Sequence, residues 1–273
     1  MSADNQQATP ESIGESPQRL YAEYPRKSRI TNEEALLLGI LFTDGCVSKK
    51  SKNCWRFYLS NTSLEIIRTF RQSMIDVFGL DSRRVRISEK EVNNKPFYKA
   101  VVDSAYCGWL LTSKYGTFRT LAYRGRDGRK IYPPTKLPFT SNTKISVLSQ
   151  FLKAAFSCDG GINLYVGRSK TGYRFLIRNL YLSCDHPQLQ IDYQKLLSFF
   201  EIGSKILPRD GKVLVRGKRN LQKFRRKVGF LEGVKITQKS TFWHNWEKNK
   251  VLDLALSSYG NAKKVLKLDK FLG

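Results

Sequence analysis

From Thr31 onward the chain alternates between two hydrophobic periods. Residues 35–42, ALLLGILF, are apolar throughout and follow Thr31-Asn32-Glu33-Glu34. Thr31 or Asn32 can cap a helix there, and the two acids suit its first turn. This helix runs to Asp44-Gly45, where glycine can end it. Two alternating segments follow, at 46–50 and 54–60. In the second, Trp55, Phe57 and Leu59 share one face, and Arg56, Tyr58 and Ser60 share the other. A period of two with one apolar face predicts a half-buried strand. Residues 62–78 return to helical spacing and stop at Gly79. Strands are predicted near 83–89 and 97–103, and a short helix near 104–113.

The same order then recurs. A helix over 146–161 ends in Asp159-Gly160, followed by strands at 162–168 and 174–183. A helix over 186–203 stops at Gly203. A hairpin over 204–217 turns at Asp210-Gly211, and a last helix covers 218–230. Individual residues repeat as well as the pattern. Tyr58-Leu59-Ser60 before the first middle helix matches Tyr181-Leu182-Ser183 before the second, and Gly79 matches Gly203. One long repeat occurring twice predicts two pseudo-symmetric halves of mixed α+β type, each helix-strand-strand-helix-strand-strand-helix. The predicted organisation is a polar lead (1–30), a first half (31–123), a Gly-, Pro- and Arg-bearing linker (124–143), a second half (144–237) and an extension (238–273). The extension carries Phe242, Trp243 and Trp246, which are expected to rest on the second half.

Charge narrows the function. The 48 Lys and Arg against 23 Asp and Glu leave +25, which calls for a polyanionic partner: nucleic acid first, an anionic membrane surface second. The longest apolar run falls well short of the roughly 20 residues that cross a bilayer. No basic amphipathic helix offers an apolar face to insert. The first 30 residues contain acids and lack the apolar core of a secretory signal. Five cysteines show no CxxC spacing, and only His186 and His244 could join them, so a structural zinc site is not expected. Reduced thiols in an intracellular, reducing compartment fit this usage.

Asp44 and Asp159 stand out chemically. A helix C-terminus carries partial negative charge, so an acid there is disfavoured by about 0.3–1 kcal/mol. A single Asp-Gly is a common turn, but here it occurs at matched positions in two repeats. A divalent cation facing both the carboxylate and the helix-end carbonyls turns that penalty into an advantage. Gly39 and Thr43 lie four apart before the first acid, and Ala154 and Cys158 hold the same places before the second. Small residues at this spacing let two helices approach closely. Paired in that way, the helices bring the two acids together as a seat for two or three hard cations, the requirement of metal-assisted phosphodiester hydrolysis.

The segments LLGILFTDG (37–45) and LKAAFSCDG (152–160) resemble the two copies of the motif that names the LAGLIDADG homing endonucleases. The likeness extends over about residues 31–235 through the strand-strand-helix order after each motif. It implies a single-chain, monomeric pseudo-dimer whose two αββαββα halves form a saddle of strands over double-stranded DNA. The expected activity is site-specific double-strand cleavage, leaving short 3′ overhangs across the minor groove of a long asymmetric site. The expected cofactor is Mg2+, with Mn2+ or Ca2+ able to substitute in binding. The resemblance assigns the metals to Asp44 and Asp159 with the carbonyls of Thr43 and Cys158. It assigns a supporting basic residue to each half: Lys136, just before Leu137-Pro138, and Lys235, in Val-Lys-Ile. Asn61 ends the second strand of the first half, where the family places a polar residue. Cys184 and Asp185 stand at the second-half position, which predicts two unequal active sites.

Strand alternation then predicts the DNA face: Arg56, Tyr58, Ser60 and Asn61, with Asn179, Tyr181 and Ser183 as counterparts. Outer strands add Arg84, Arg86, Ser88, Lys99 and Asp103 in the first half. In the second half they add Asn163, Tyr165, Lys205, Arg209, Lys212 and Arg216. Arg and Asn make bidentate contacts with purine edges, and a two-stranded ribbon fits the major groove. The competing expectation is a non-cleaving nucleic-acid binder on the same fold, such as an intron maturase with intron RNA as its partner.

Overall fold

Helix α1 (Asn32–Leu41) is apolar on every side because it lies at the centre of the molecule, with Ala35, Leu37, Leu38, Ile40 and Leu41 fully buried. Thr31 caps it, its hydroxyl accepting from the Glu34 amide at 3.2 Å. In this computed structural model residues 29–260 are described, except 52, 53, 94, 95, 173, 238, 239 and 241. The expected polar lead therefore falls almost wholly outside the described residues, as does the end of the extension.

In the first half α1 leads into β1 (Gly45–Ser51), β2 (Cys54–Asn61), α2 (Leu64–Phe78), β3 (Arg86–Glu91), β4 (Pro96–Asp103) and α3 (Ala105–Tyr115). The strands form one antiparallel sheet in the order β1-β2-β4-β3. Phe57, Leu59, Ala100 and Val102 point into the core from its inner face. Gly79 takes a left-handed conformation (φ 62°), which ends α2 as expected. Glu34 is buried, and it is satisfied by Lys114 Nζ at 2.9 Å and Tyr115 Oη at 2.6 Å, which fasten α3 to α1. The expected strand over 83–89 begins late. Asp81 accepts from the Arg83 amide at 2.8 Å and winds Ser82–Arg84 into a 3-10 turn. Arg84 therefore sits on a turn rather than a strand.

The linker contains a small ribbon, β5 (Tyr123–Arg124) paired with β6 (Lys130–Ile131). The second half follows with α4 (Ile145–Cys158), β7 (Gly160–Arg168), β8 (Arg174–Ser183), α5 (Pro187–Phe199), β9 (Ser204–Leu207), β10 (Lys212–Arg216) and α6 (Lys218–Lys227). Its sheet has the matching order β7-β8-β10-β9. The expected pairing of Gly79 with Gly203 does not hold in detail. Helix α5 stops at Phe199, and the left-handed residue is Glu201 (φ 58°), not Gly203. Lys223 and Lys227 of α6 offset its strain, donating to the Glu201 and Phe200 carbonyls at 3.1 and 3.2 Å.

A helix absent from the sequence expectation, α7 (Lys248–Ser257), packs beside α6 and β7. The preceding aromatic cluster anchors it only in part. Trp243 is buried and donates from Nε1 to the Leu164 carbonyl at 2.6 Å, whereas Phe242 and Trp246 stay exposed. Among the described residues no helix is long and apolar enough to cross a membrane.

The halves meet through α1 and α4. A Cβ on Gly39 would stand 2.5 Å from the Phe151 carbonyl oxygen and 2.7 Å from Ala154 Cβ, so only glycine permits this approach. The small-residue spacing read from the sequence is thus the seam of the molecule.

Candidate active site and nucleic-acid face

The seam runs down to the two acids. Asp159 is itself the C-cap of α4, its amide donating to the Ala155 carbonyl at 3.0 Å. Asp44 stands two residues beyond the cap of α1, in the turn leading to β1. The two carboxylates lie against each other, each perturbing the other's proton affinity. Burial, then the charge of Asp44, pushes Asp159 up to about 8, and burial likewise raises Asp44. Two carboxylates held together out of water favour sharing a proton unless a cation replaces it.

The surroundings differ between the halves. Asn61, at the end of β2, donates from Nδ2 to Asp44 Oδ2 at 2.8 Å. Thr43 turns its hydroxyl back onto the carbonyls of Gly39 and Ile40, at 2.8 and 3.1 Å. In the second half Cys184 holds the position of Asn61, and its thiol contacts the His186 carbonyl at 3.7 Å instead of the acid. The Cys158 thiol is raised by burial and by Asp44. All five cysteines are free thiols.

Both expected lysines are exposed, and among the described residues neither makes a side-chain hydrogen bond or ion pair. Lys136 precedes the buried Leu137, whose amide donates to Asp192 at 3.0 Å. The backbone of Lys235 pairs antiparallel with that of Glu247. The lysine that the fold brings to the acids is Lys248, the first residue of α7, only 6% exposed. Burial lowers it to about 8, against the opposing pull of Cys158, Asp44 and Asp159. The sequence carried no signal for it, because it lies in a Lys-rich stretch after an irregular segment.

The outer face of each sheet extends away from its acid in matched rows. The register aligns Ser60 with Lys99 and Ser88, and aligns Ser183 with Lys212. In the next row Cys46, Tyr58, Val101 and Arg86 answer to Gly161, Tyr181, Leu214 and Lys205. Lys99 lies over the Tyr58 ring at 5.3 Å, and Lys212 over the Tyr181 ring at 5.4 Å, the same cation–π pair in each half. Further out, Arg56 makes two bonds to Asp103, at 2.7 and 2.8 Å, and Arg86 reaches the same carboxylate at 3.3 Å. Asp103 thus orients two arginines. Asn163 donates to Asn179 at 2.9 Å, and Asn179 is buried. Tyr165, Lys205, Arg209 and Arg216 are exposed, with Arg209 on the turn between β9 and β10.

Two repeated half-domains that join one carboxylate apiece across a helical seam define a pseudo-dimeric protein with a composite acidic centre between basic sheet faces. The sequence model of the LAGLIDADG-like domain matches residues 31–130 and 146–229. The chain belongs to the LAGLIDADG family. No curated protein matches it in sequence. Among solved structures it is similar to mesophilic variants of the homing endonuclease I-DmoI, at 14% identity over 73% of this chain and 96% of that one, with a TM-score of 0.46. It is also similar to I-DmoI in complex with DNA and Mn, at 16% identity over 73% and 97%, TM-score 0.46. The homing endonuclease I-WcaI bound to its DNA recognition sequence matches at 13% identity over 81% and 93%, TM-score 0.47.

Proposed function

We propose that this protein is a site-specific, metal-dependent double-strand DNA endonuclease acting as a monomer. The observation that carries the reading is the contact of Asp44 with Asp159, one acid from each half, between two sheet faces lined with Lys, Arg and Tyr. Among the described residues there is no cluster of three or more His, Cys, Asp or Glu side chains suited to a metal. The two carboxylates of Asp44 and Asp159 fit Mg2+, which is held by one or two carboxylates and completes its shell with water and substrate phosphate. Mn2+ or Ca2+ can take its place in binding. When bound, the cation supplies an activated water and stabilises the leaving 3′ oxygen.

The chain's own residues do the rest. Asp44 and Asp159 hold the cations, with the carbonyls of Thr43 and Cys158 beside them. Asn61 fixes one carboxylate. Lys99 and Lys212 neutralise phosphates near the centre, and Arg56, Arg86 and Arg216 extend the contact outward. Lys136 and Lys235 are the expected basic supports of the two sites. Cuts on opposite strands across the minor groove leave short 3′ overhangs. The halves are bounded at about 31–123 and 144–237, and an intracellular, reducing compartment suits five free thiols.

Selection from a randomised duplex library with Mg2+ present tests this reading. Wild-type protein should yield cleaved, related sequences, and Asp44→Asn and Asp159→Asn should each abolish double-strand cutting of them. Double-strand cutting retained by both variants defeats the assignment. Tight binding of intron RNA without DNA cleavage by the wild type would replace the reading with that of a maturase.

A further inference from the structure

Lys248 is a buried cation with no carboxylate partner among the salt bridges of the described residues. Its ammonium donates instead to three backbone oxygens: Gly160 at 2.6 Å, Ser157 at 2.7 Å and Phe156 at 3.5 Å. These carbonyls surround Asp159 at the end of α4. A helix C-terminus leaves its last carbonyls unbonded and partly negative. An ammonium has three donors and no acceptor, so one lysine can serve all three.

The placement is built rather than incidental. The Lys248 amide donates to the Val234 carbonyl at 2.9 Å, and the backbones of Lys235 and Glu247 pair antiparallel. Next to it, the Asn249 side chain accepts from the Phe230 amide and donates to the Phe230 carbonyl, both at 3.1 Å. The start of α7 is therefore tied to the strand-like segment after α6, and its first side chain is directed under the second motif. In the first half a neutral hydroxyl, that of Thr43, meets the helix-end carbonyls, and Asn61 meets the acid.

We infer that Lys248 is a positioning residue of the second half: it clamps the carbonyl end of α4 and, by its charge, holds Asp159 beside Asp44, a task that the first half divides between Thr43 and Asn61. Its effect on strand cutting rests on the endonuclease reading; its effect on the acid pair does not.

The test is a double-mutant cycle in melting temperature, with EDTA and without DNA, on wild type, Lys248→Met, Asp159→Asn and the double variant. Lys248→Met should lower the melting temperature, and with Asn at 159 that loss should shrink by about half or more, because the cation no longer has that charge to offset. Additive losses overturn the inference. Should Lys248→Met or Lys248→Gln not fold alone, recovery of folding in the Asp159→Asn background is the same coupling, and no recovery overturns it. On a duplex selected with the wild type and labelled on each strand, Lys248→Met should slow one strand about tenfold more than the other. Equal slowing overturns the half-specific role. A wild type that cuts no duplex defeats the endonuclease reading alone, and the melting cycle still decides whether Lys248 holds the acids.

Discussion

Asn61 donates to Asp44 across 2.8 Å, and the same side chain accepts from the Ser63 amide at 2.8 Å, so its amide is fixed at both ends. Its orientation is thereby set, with nitrogen toward the acid. Residues that steer a metal-binding carboxylate are typically worth about 10- to 100-fold in activity or metal affinity. Asn61→Ala should lower cleavage by about that factor, with the deficit concentrated on one strand and the melting temperature close to wild type. Strand-resolved kinetics check this, and equal deficits on both strands would count against the unequal sites described above.

Gly39 is the narrowest point of the seam. A methyl group there meets a backbone oxygen and Ala154 Cβ, neither of which can rotate away. Gly39→Ala must push α1 and α4 apart, and overpacking of this kind costs about 1–3 kcal/mol. Denaturant unfolding should show that loss. Because the acids sit at the end of the same seam, metal-dependent cleavage should fall by more than binding to DNA does. Unchanged stability would mean that the helices are not held at this distance.

Much of this site could be read from the chain because it depends on short-range order. Gly39, Thr43, Ala154 and Cys158 mark the seam by spacing alone, and the matched Tyr-Leu-Ser triplets mark equivalent strands. What escaped depends on contacts between remote segments. Lys248 lies far along the chain from the carbonyls it clamps, so no local pattern marks it; Lys235, thirteen positions earlier, to which the resemblance assigns the basic role, lies at the surface. Gly203 looked like the twin of Gly79. The left-handed residue is Glu201 because α6 supplies lysines to its carboxylate and to the adjacent carbonyls, and no feature of 186–203 shows that. Arg84 was placed on a strand by alternation, and Asp81 capped a 3-10 turn instead.

Lys99 and Lys212 occupy equivalent places, each over a tyrosine ring and each paired in register with a serine of the neighbouring strand. If both neutralise phosphate, each makes a separable contribution to counterion release. Lys99→Met and Lys212→Met should each weaken binding to specific and nonspecific duplexes alike. Each should reduce the slope of log affinity against log salt by about 1. The double variant should lose about 2, since the two sites lie in separate halves and share no partner. Titrations in Ca2+ at several salt concentrations supply the slopes. A variant that changes sequence preference and leaves the slope alone would place its lysine on a base edge.

The acid pair should make stability without metal depend on pH in a defined direction. An Asp titrates at 3.8 when unperturbed, and in the folded protein Asp159 is pushed up to about 8. The folded form therefore keeps a proton that the unfolded chain has released, so the pair's contribution to stability is fully present below about pH 4 and is lost as pH rises toward 8. Asp44 is raised as well and adds to this trend. The Cys158 thiol and the Lys248 ammonium also face the pair. Lys248, lowered from 10.5 to about 8, acts above that window, where its penalty is relieved with rising pH. Asp159→Asn removes the main titrating acid. In EDTA its gain in melting temperature over wild type should grow between pH 5 and pH 8, at roughly 2–4 °C for each kcal/mol regained. Mg2+ should stabilise the wild type more at pH 8 than at pH 5, because the cation must displace the shared proton at the lower pH, and should stabilise the variant far less at either. A gain that stays constant across the range would show that the two carboxylates do not share a proton in the metal-free protein.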